Sequence, residues 1–572
     1  MGEDVIRDRL RLSRMATLRE LLLPGARMKT KPRTVFSRSW GWGVLFTSLI
    51  CAICVLCGLS KAPPDVYDLV ITNGIIVDGT GRAGFKADLG IRDGRIEKIG
   101  ALAKAPARAR IDAQGQVVSP GFIDAHVNIE NQIKGSQVRL VADNFLLQGV
   151  TTVITGNCGF SALDIAALFR QLARLKLAVN VATLVGHNTL RREVCGVRPN
   201  PTPEQMALMQ SRVRAGIEAG ALGLSTGLCY QPGLYAHEDE VVALVHVAAQ
   251  EHALYATHMR NESAEEPAAL AEAVRTAQRA GITRLHISHF KAAGQSQWGT
   301  ARARLDKARQ AAGAQIRLTS DLYPYTSLST TLEYLIPPEA FPLINGLAPG
   351  QSKSLARAID LTLDKLRRDG WRDYSNVRVS FSMKHKEWVG QTIPAIVQSQ
   401  GGGADSLRAQ AAWILTHEGS GDIQIIAEEM TEQDVHQLIA APDMVFGSDS
   451  SIHYRGLGKP HPRGQGTFPR IFAEYVRNQK LLTLEAAVRH ATGLTAEIFA
   501  LPRRGCIREG YWADLVIFDP ARIQDRATFA DPWKPPLGIA YVIVNGVVAV
   551  QGMKPTGALA GQPVTRAAHE SP

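Results

Sequence analysis

Residues 253–291 read ALYATHMRNESAEEPAALAEAVRTAQRAGITRLHISHFK. An apolar run ends in His258. A helical pattern follows over 265–280, and a second apolar run ends in His289. Short buried run, amphipathic helix, short buried run is the signature of two parallel strands joined by a crossover helix. The polar residue that closes each run then sits at the C-terminal end of its strand. The same alternation recurs outward in both directions. Strand-like runs stand at 151–154, 179–185, 221–224 and 444–446. Alternation of this kind over 121–500 predicts an α/β fold, a TIM-type (β/α)8 barrel. An open doubly wound sheet is the competing arrangement, and no Gly-rich phosphate loop of the dinucleotide type supports it.

Beyond the alternating region the pattern changes. Short β-like runs at 69–71, 75–77, 89–96 and 116–118 carry the turn pairs Asn73-Gly74 and Asp93-Gly94. The far end is alike: 514–518 and 540–550 are β-rich, the latter turning at Asn545-Gly546. These segments predict one small β-sandwich domain built from 65–120 plus 501–556. The stretch at about 335–412 fits the alternation poorly. It contains Pro337-Pro338, Pro349-Gly350 and Gly401-Gly402-Gly403, and reads as an insertion on the active face. Residues 557–572 read as an exposed tail.

Of 572 residues, 45% are hydrophobic and 20% charged, values ordinary for a globular protein. The net charge of +11 is unevenly placed. Residues 1–40 form a basic extension that contributes +6, so the folded body carries only +5. A nucleic-acid partner is not implied. Residues 41–60, GWGVLFTSLICAICVLCGLS, are uncharged and as a helix would rise about 30 Å, one hydrocarbon thickness. Lys29, Lys31, Arg33 and Arg38 precede them, which favours a cytoplasmic N-terminal side. The segment fits either a signal peptide or a membrane anchor. The body is therefore expected to be exported, periplasmic or otherwise extracytoplasmic, with membrane association through 41–60. Three of the seven cysteines lie in that segment. The other four (Cys158, Cys195, Cys229, Cys506) have no metal-knuckle or disulfide spacing.

Five residues with metal-binding chemistry close predicted strands: His126, Cys158, His258, His289 and Asp449. Strand ends of a barrel form a ring, so side chains far apart in sequence can meet there. Alone, each has an ordinary reading as a packed core or surface residue. Together they resemble a zinc site, since thiolate and imidazole suit zinc and a carboxylate can serve as base.

The stretches VVSPGFIDAH (117–126), GVTTVITGNCGFS (149–161), GLSTGLCYQPG (223–233), THMRNES (257–263), ISHFKAAG (287–294), DLYPYTSLST (321–330), GSDS (447–450) and HPRGQGTFPR (461–470) occur in this order. In this the chain resembles the N-acyl-D-amino-acid deacylases (D-aminoacylases) of the amidohydrolase superfamily, from about Tyr67 to Gly557. The resemblance implies hydrolysis of the amide of an N-acyl-D-amino acid, a small-molecule substrate. It implies Zn2+ held by Cys158, His258 and His289, with His126 at a weaker second position. Asp449 would shuttle the proton. Lys291, Tyr323 and Ser329 would hold the substrate carboxylate, and Tyr230 would face the pocket. Lys291 also follows a proposed ligand by two residues, which puts a cation at the rim of the same site. His187 and Arg191 match a family block without a settled role. The 461–463 segment is expected to shape the loop after the last strand. His286 is expected to point to the opposite face of its strand from His289 and to pack outward.

The chain departs from the family at one place. The usual His-x-His after the first strand reads His126-Val127-Asn128. Asn128 is a poor zinc ligand, so one tightly bound zinc is expected. The alternatives are another amidohydrolase, acting on cyclic amides or D-containing dipeptides, or a non-catalytic membrane-tethered homologue. Cyclic-amide enzymes usually bridge their metals with a modified Lys rather than a Cys, and Asn157-Cys158-Gly159 points away from them.

Overall fold

The computed structural model describes residues 66–133, 139–344, 352–403, 405–418 and 422–566. The basic extension and the apolar segment 41–60 lie outside them. No helix among the described residues is long and apolar enough to cross a membrane.

Eight parallel strands run in chain order: β1 (Phe122–Asp124), β2 (Val150–Thr155), β3 (Asn180–Thr183, continued by Val185–Gly186), β4 (Gly223–Gly227), β5 (Leu254–His258), β6 (Arg284–Ile287), β7 (Arg317–Leu322) and β8 (Met444–Phe446). Neighbours pair in parallel register from β1 to β3 and from the continuation of β3 to β8. The ring closes where Ala125 N–H donates to Phe446 O (3.1 Å) and Val127 bridges Ser450. Side chains alternate between two environments, as the period of a strand requires. Ala182, Leu222, Leu254, Ala256 and Val445 form one cluster with Leu494, Ile498 and Phe499. The intervening Leu224, Tyr255, Leu285, Ile287 and Phe446 belong to a second cluster shared with the surrounding helices.

The helix between β5 and β6 shows why the sequence folds this way. Residues Glu266–Ala280 bury Ala269, Leu270, Ala273, Val274 and Ala277 on one face, and Pro267 lies in the first turn, where its missing N–H costs nothing. The helix ends at Gly281, whose left-handed φ of 72° suits a residue without a Cβ.

The small β domain is a nine-stranded sheet drawn from both ends of the chain. Val117–Pro120 joins the two halves. It runs parallel to Tyr67–Ile76 and antiparallel to Leu515–Phe518. One face covers its own core, including Leu89, Ile91, Val118 and Ile517. The other face meets the barrel. There Phe122 stacks on Phe468 and Phe472 at 5.4 and 5.0 Å and meets Phe518 edge-on at 6.0 Å.

Between β7 and β8 the strands Ser327–Thr331, Val377–Phe381 and Gln424–Glu428 form a separate antiparallel sheet. With flanking helices it encloses its own core around Leu363, Trp388, Ile396 and Trp413. The irregular stretch at 335–412 falls within this unit.

The residues after Gly557 differ from the exposed tail expected of them. Gly561 N–H donates to Leu177 O (2.7 Å), Val181 N–H to Gln562 O (3.0 Å) and Val564 N–H to Val181 O (2.8 Å). Val564 is buried with Ile123, Ala182 and Leu184. The polar, Gly- and Pro-containing sequence conceals this because the contacts are mostly main chain.

Two outcomes test this architecture. Phe122→Ala removes a fully buried ring from the barrel–sheet contact and is expected to destabilise the fold by about 3–5 kcal/mol, read from denaturant midpoints. His490, on the helix Leu484–Ala491, is held near a pKa of about 4 by burial and by the neighbouring Arg489 charge. The unfolded chain binds a proton there below about pH 6.5 and the folded chain does not, so this contribution to stability is lost as pH falls. The thermal midpoint is expected to drop between pH 6.5 and 4, and His490→Leu to flatten that slope.

Candidate metal centre and active site

Four donors converge where the barrel strands end. Cys158 Sγ lies 3.3 Å from His126 Nε2, 3.6 Å from His258 Nδ1 and 3.5 Å from His289 Nε2. His258 Nδ1 and His289 Nε2 are 2.9 Å apart. Asp449 stands beside them, with Oδ1 3.6 Å from His126 Nε2. Thus His126, Cys158, His258, His289 and Asp449 are brought together.

Strand parity places some of these side chains and local backbone turns place the rest. His258 ends β5 on the same parity as Leu254 and Ala256. Cys158, His289 and Asp449 instead follow their strands with φ of 51°, 33° and 46°, a region costly for residues with a Cβ. Such backbone re-aims a side chain and is concentrated at functional sites. It also corrects the expectation for His286. That ring lies 5.0 Å from Phe499 and bonds to Thr319 and Asp321 at 2.8 Å each. His286 therefore shares the barrel-interior face, and His289 reaches the site because the backbone turns after Ile287. Close packing holds the turns in place. A Cβ on Gly227 would lie 2.0 Å from Cys158 O, and one on Gly447 2.6 Å from the Cβ of His126. Asp124 accepts from the main-chain N–H of His126 (3.2 Å) and Ser448 (2.8 Å), tying the ends of β1 and β8.

Around the cluster each imidazole has a carboxylate beside its far nitrogen. His126 Nδ1 lies 3.5 Å from Asp321, His289 Nδ1 3.0 Å from Glu262 and His258 Nε2 3.6 Å from Glu262. Such partners orient metal-binding histidines. Cys229 Sγ also lies 2.8 Å from His258 Nε2. Burial opposes ionisation of the Cys158 thiol. The His126 charge and contacts from all three imidazoles outweigh it and hold the thiol well below its ordinary range. A thiolate facing two imidazole nitrogens 2.9 Å apart is a donor set that fits zinc. Glu262 with His258 and His289 forms another candidate group. There Lys291 Nζ already sits 2.9 and 3.0 Å from the Glu262 oxygens and 2.9 Å from His289 Nδ1.

The cluster opens into a cavity of about 590 Å³, lined also by Lys291, Tyr323, Ser329 and Tyr230. Tyr323 is buried, and its hydroxyl has no partner among the described residues. Lys291 Nζ lies 5.8 Å and the Arg463 guanidinium 4.5 Å from the centre of its ring. Burial pushes the Tyr323 phenol up to about 12. Tyr230 bonds through its hydroxyl to Thr330 (2.9 Å), and its ring lies 4.7 Å from His258. Ser329 accepts from Arg463 through its carbonyl (3.2 Å).

Asp449 is held from both sides. Asn128 Nδ2 donates to Oδ1 at 2.8 Å, and Arg463 Nη1 pairs with Oδ2 at 3.0 Å. Burial would raise its pKa. Arg463 chiefly, with His289, His126 and Lys291, brings it below the ordinary value. Sequence reasoning did not single out Glu262, Asp321 or the pairing of Arg463. Glu262 stands four residues after His258 in THMRNES, a spacing that could have marked it. Arg463 and Asp321 meet the site only through the fold. His187 and Arg191 lie elsewhere: His187 Nε2 and Arg191 Nε both bond to buried Glu240, at 2.8 and 2.9 Å.

Comparison with known proteins agrees with this geometry. A D-aminoacylase of Alcaligenes xylosoxydans xylosoxydans is 32% identical, over 89% of this chain and 100% of that protein. An N-acyl-D-glutamate deacylase of the same organism is 34% identical, over 84% and 93%. The crystal structure of N-acyl-D-glutamate deacylase from Bordetella bronchiseptica, complexed with zinc and a phosphonate inhibitor, has a TM-score of 0.74 and 33% identity, covering 88% of this chain and 100% of that one. A structure of D-aminoacylase, described as having a binuclear metal centre with one-metal activation and second-metal attenuation, has a TM-score of 0.73 and 31% identity, covering 87% and 100%. Residues 109–385 and 356–550 match the Amidohydrolase family. A ring of parallel strands, metal-binding donors at their ends and relatedness along most of the chain lead to one conclusion: this protein belongs to the amidohydrolase family.

Proposed function

We propose that the chain hydrolyses the amide bond of N-acyl-D-amino acids, releasing a D-amino acid and a carboxylate, with one tightly bound zinc. The observation that carries this reading is the meeting of Cys158, His258 and His289 beside Asp449 at the floor of a cavity. Lys291 and the unpartnered Tyr323 hydroxyl stand on its wall. The similarity to D-aminoacylase and to N-acyl-D-glutamate deacylase supports the substrate class. Export of the body, with 41–60 as signal or anchor, remains part of the proposal and rests on the uncharged run.

In this reading Cys158, His258 and His289 hold the zinc, and His126 lies next to them. When bound, zinc supplies Lewis-acid chemistry, polarising a carbonyl and acidifying water. Asp449, kept ionised by Arg463, takes the proton of the attacking water and delivers it to the leaving nitrogen. Asn128 and Arg463 fix the direction of its two oxygens. Lys291, Tyr323 and Ser329 bind the substrate carboxylate, and Tyr230 closes the pocket next to His258. Glu262 keeps Lys291 charged and orients two imidazoles.

Asn128 bears on metal number. It occupies the second position of the family's His-x-His and spends its amide on Asp449. A second cation would find His126 but no imidazole at 128.

Asp449→Ala is expected to lower kcat by about 10²–10⁴ with zinc retained by elemental analysis, whereas Cys158→Ala loses the zinc. Full turnover in Asp449→Ala excludes the proton-transfer role. Asn128→His is expected to raise zinc content from about one towards about two ions per chain. Unchanged stoichiometry would show that residue 128 does not set the number of metals.

A further inference from the structure

The charges facing the cavity bear on which D-amino acid is accepted. Lys291 and Arg463 are the only Lys or Arg side chains lining it among the described residues. Neither is free. Lys291 is paired with Glu262 at 2.9 Å and Arg463 with Asp449 at 3.0 Å. These two pairs cancel. A zinc ion held by the Cys158 thiolate and neutral imidazoles then adds one net positive charge.

One substrate carboxylate matches that charge, and Tyr323, beneath both cations with an unpartnered hydroxyl, marks the place for it. Among the described residues the rest of the wall adds no cation to meet a second carboxylate; its polar side chains, such as Gln132, Ser380 and Gln424, are uncharged. Phe160, Tyr230, Leu328, Phe381, Ile452 and Trp533 are neutral. The further acidic groups on the wall, Glu130 and Glu333, are carboxyls whose pKa burial raises, Glu333 to about 7. Each adds negative charge when ionised. Arg192 stands against the Phe160 ring, 5.4 Å from its centre, and does not line the cavity. A buried carboxylate without a cation is strongly disfavoured.

We infer that the chain accepts N-acyl-D-amino acids with uncharged, apolar or aromatic side chains and rejects N-acyl-D-glutamate and N-acyl-D-aspartate. This rests on the deacylase reading above and narrows it. It separates the chain from those relatives whose names specify acidic substrates.

The test uses the full zinc-loaded chain. kcat/KM for N-acetyl-D-leucine and N-acetyl-D-phenylalanine is expected to exceed that for N-acetyl-D-glutamate and N-acetyl-D-aspartate by about 100-fold or more. A binding measurement probes the cause. Asp449→Asn removes one negative charge and frees Arg463, and Asn tolerates the positive φ at this position. In that zinc-loaded variant, calorimetry is expected to bring the Kd of N-acetyl-D-glutamate within about tenfold of that of N-acetyl-D-leucine. Cleavage of acidic substrates as fast as neutral ones would overturn the inference and leave the deacylase reading intact. So would continued exclusion of the dicarboxylate by Asp449→Asn. Failure of the zinc-loaded protein to cleave any of the four overturns the deacylase reading, and this inference with it.

Discussion

Two imidazole nitrogens 2.9 Å apart, with a thiol sulfur within 3.6 Å of both, set the terms for the rest of the molecule. At these distances the groups hydrogen-bond to one another, and the fold has to hold all of them in place at once. A barrel does so because its strands are fixed to one another on both sides, and each donor comes from a different strand end. The carboxylates behind the rings continue the same logic. Glu262 and Asp321 are fully buried and ionised, and each is stabilised by the histidines it orients.

Much of this was legible in the sequence. The apolar runs closed by His258 and His289, one β/α unit apart, announced a parallel barrel with polar residues at the strand ends. The donors are the residues that the strand-end reading selects. The reading failed where backbone conformation overrides parity. Counting alternate positions along β6 put His286 on the wrong face, because the positive φ of His289 lies outside what a two-residue period describes. The turn at Cys158 has the same character, though the glycines of Gly156-Asn157-Cys158-Gly159 hint at it. Partnerships across the barrel, such as Arg463 with Asp449 or Asn128 with Asp449, had no local signal. They arise where residues more than a dozen or several hundred positions apart become neighbours.

Asn128 illustrates how one substitution can be absorbed without disorder. The Asn128 amide donates to the Asp449 oxygen that lies 3.6 Å from the His126 ring nitrogen. Asp449 then has the Asn128 amide donating to one oxygen and the Arg463 cation paired with the other. Protein side chains thus set the direction of the carboxylate. The inserted sheet contributes the opposite wall through Leu328, Ser329 and Phe381. It carries its own core and is tied to the site through Arg463, which donates to the Ser329 carbonyl.

The joining of the small sheet from both chain ends also constrains how the molecule comes into being. Val117–Pro120 finds its antiparallel neighbour only in Leu515–Phe518, and Val564 completes a cluster begun by Ile123. During vectorial synthesis the earliest strands must wait, with an unpaired edge, until nearly the whole chain has emerged. Assembly of this protein is therefore a late event, and until it happens the open edge is exposed to neighbouring chains.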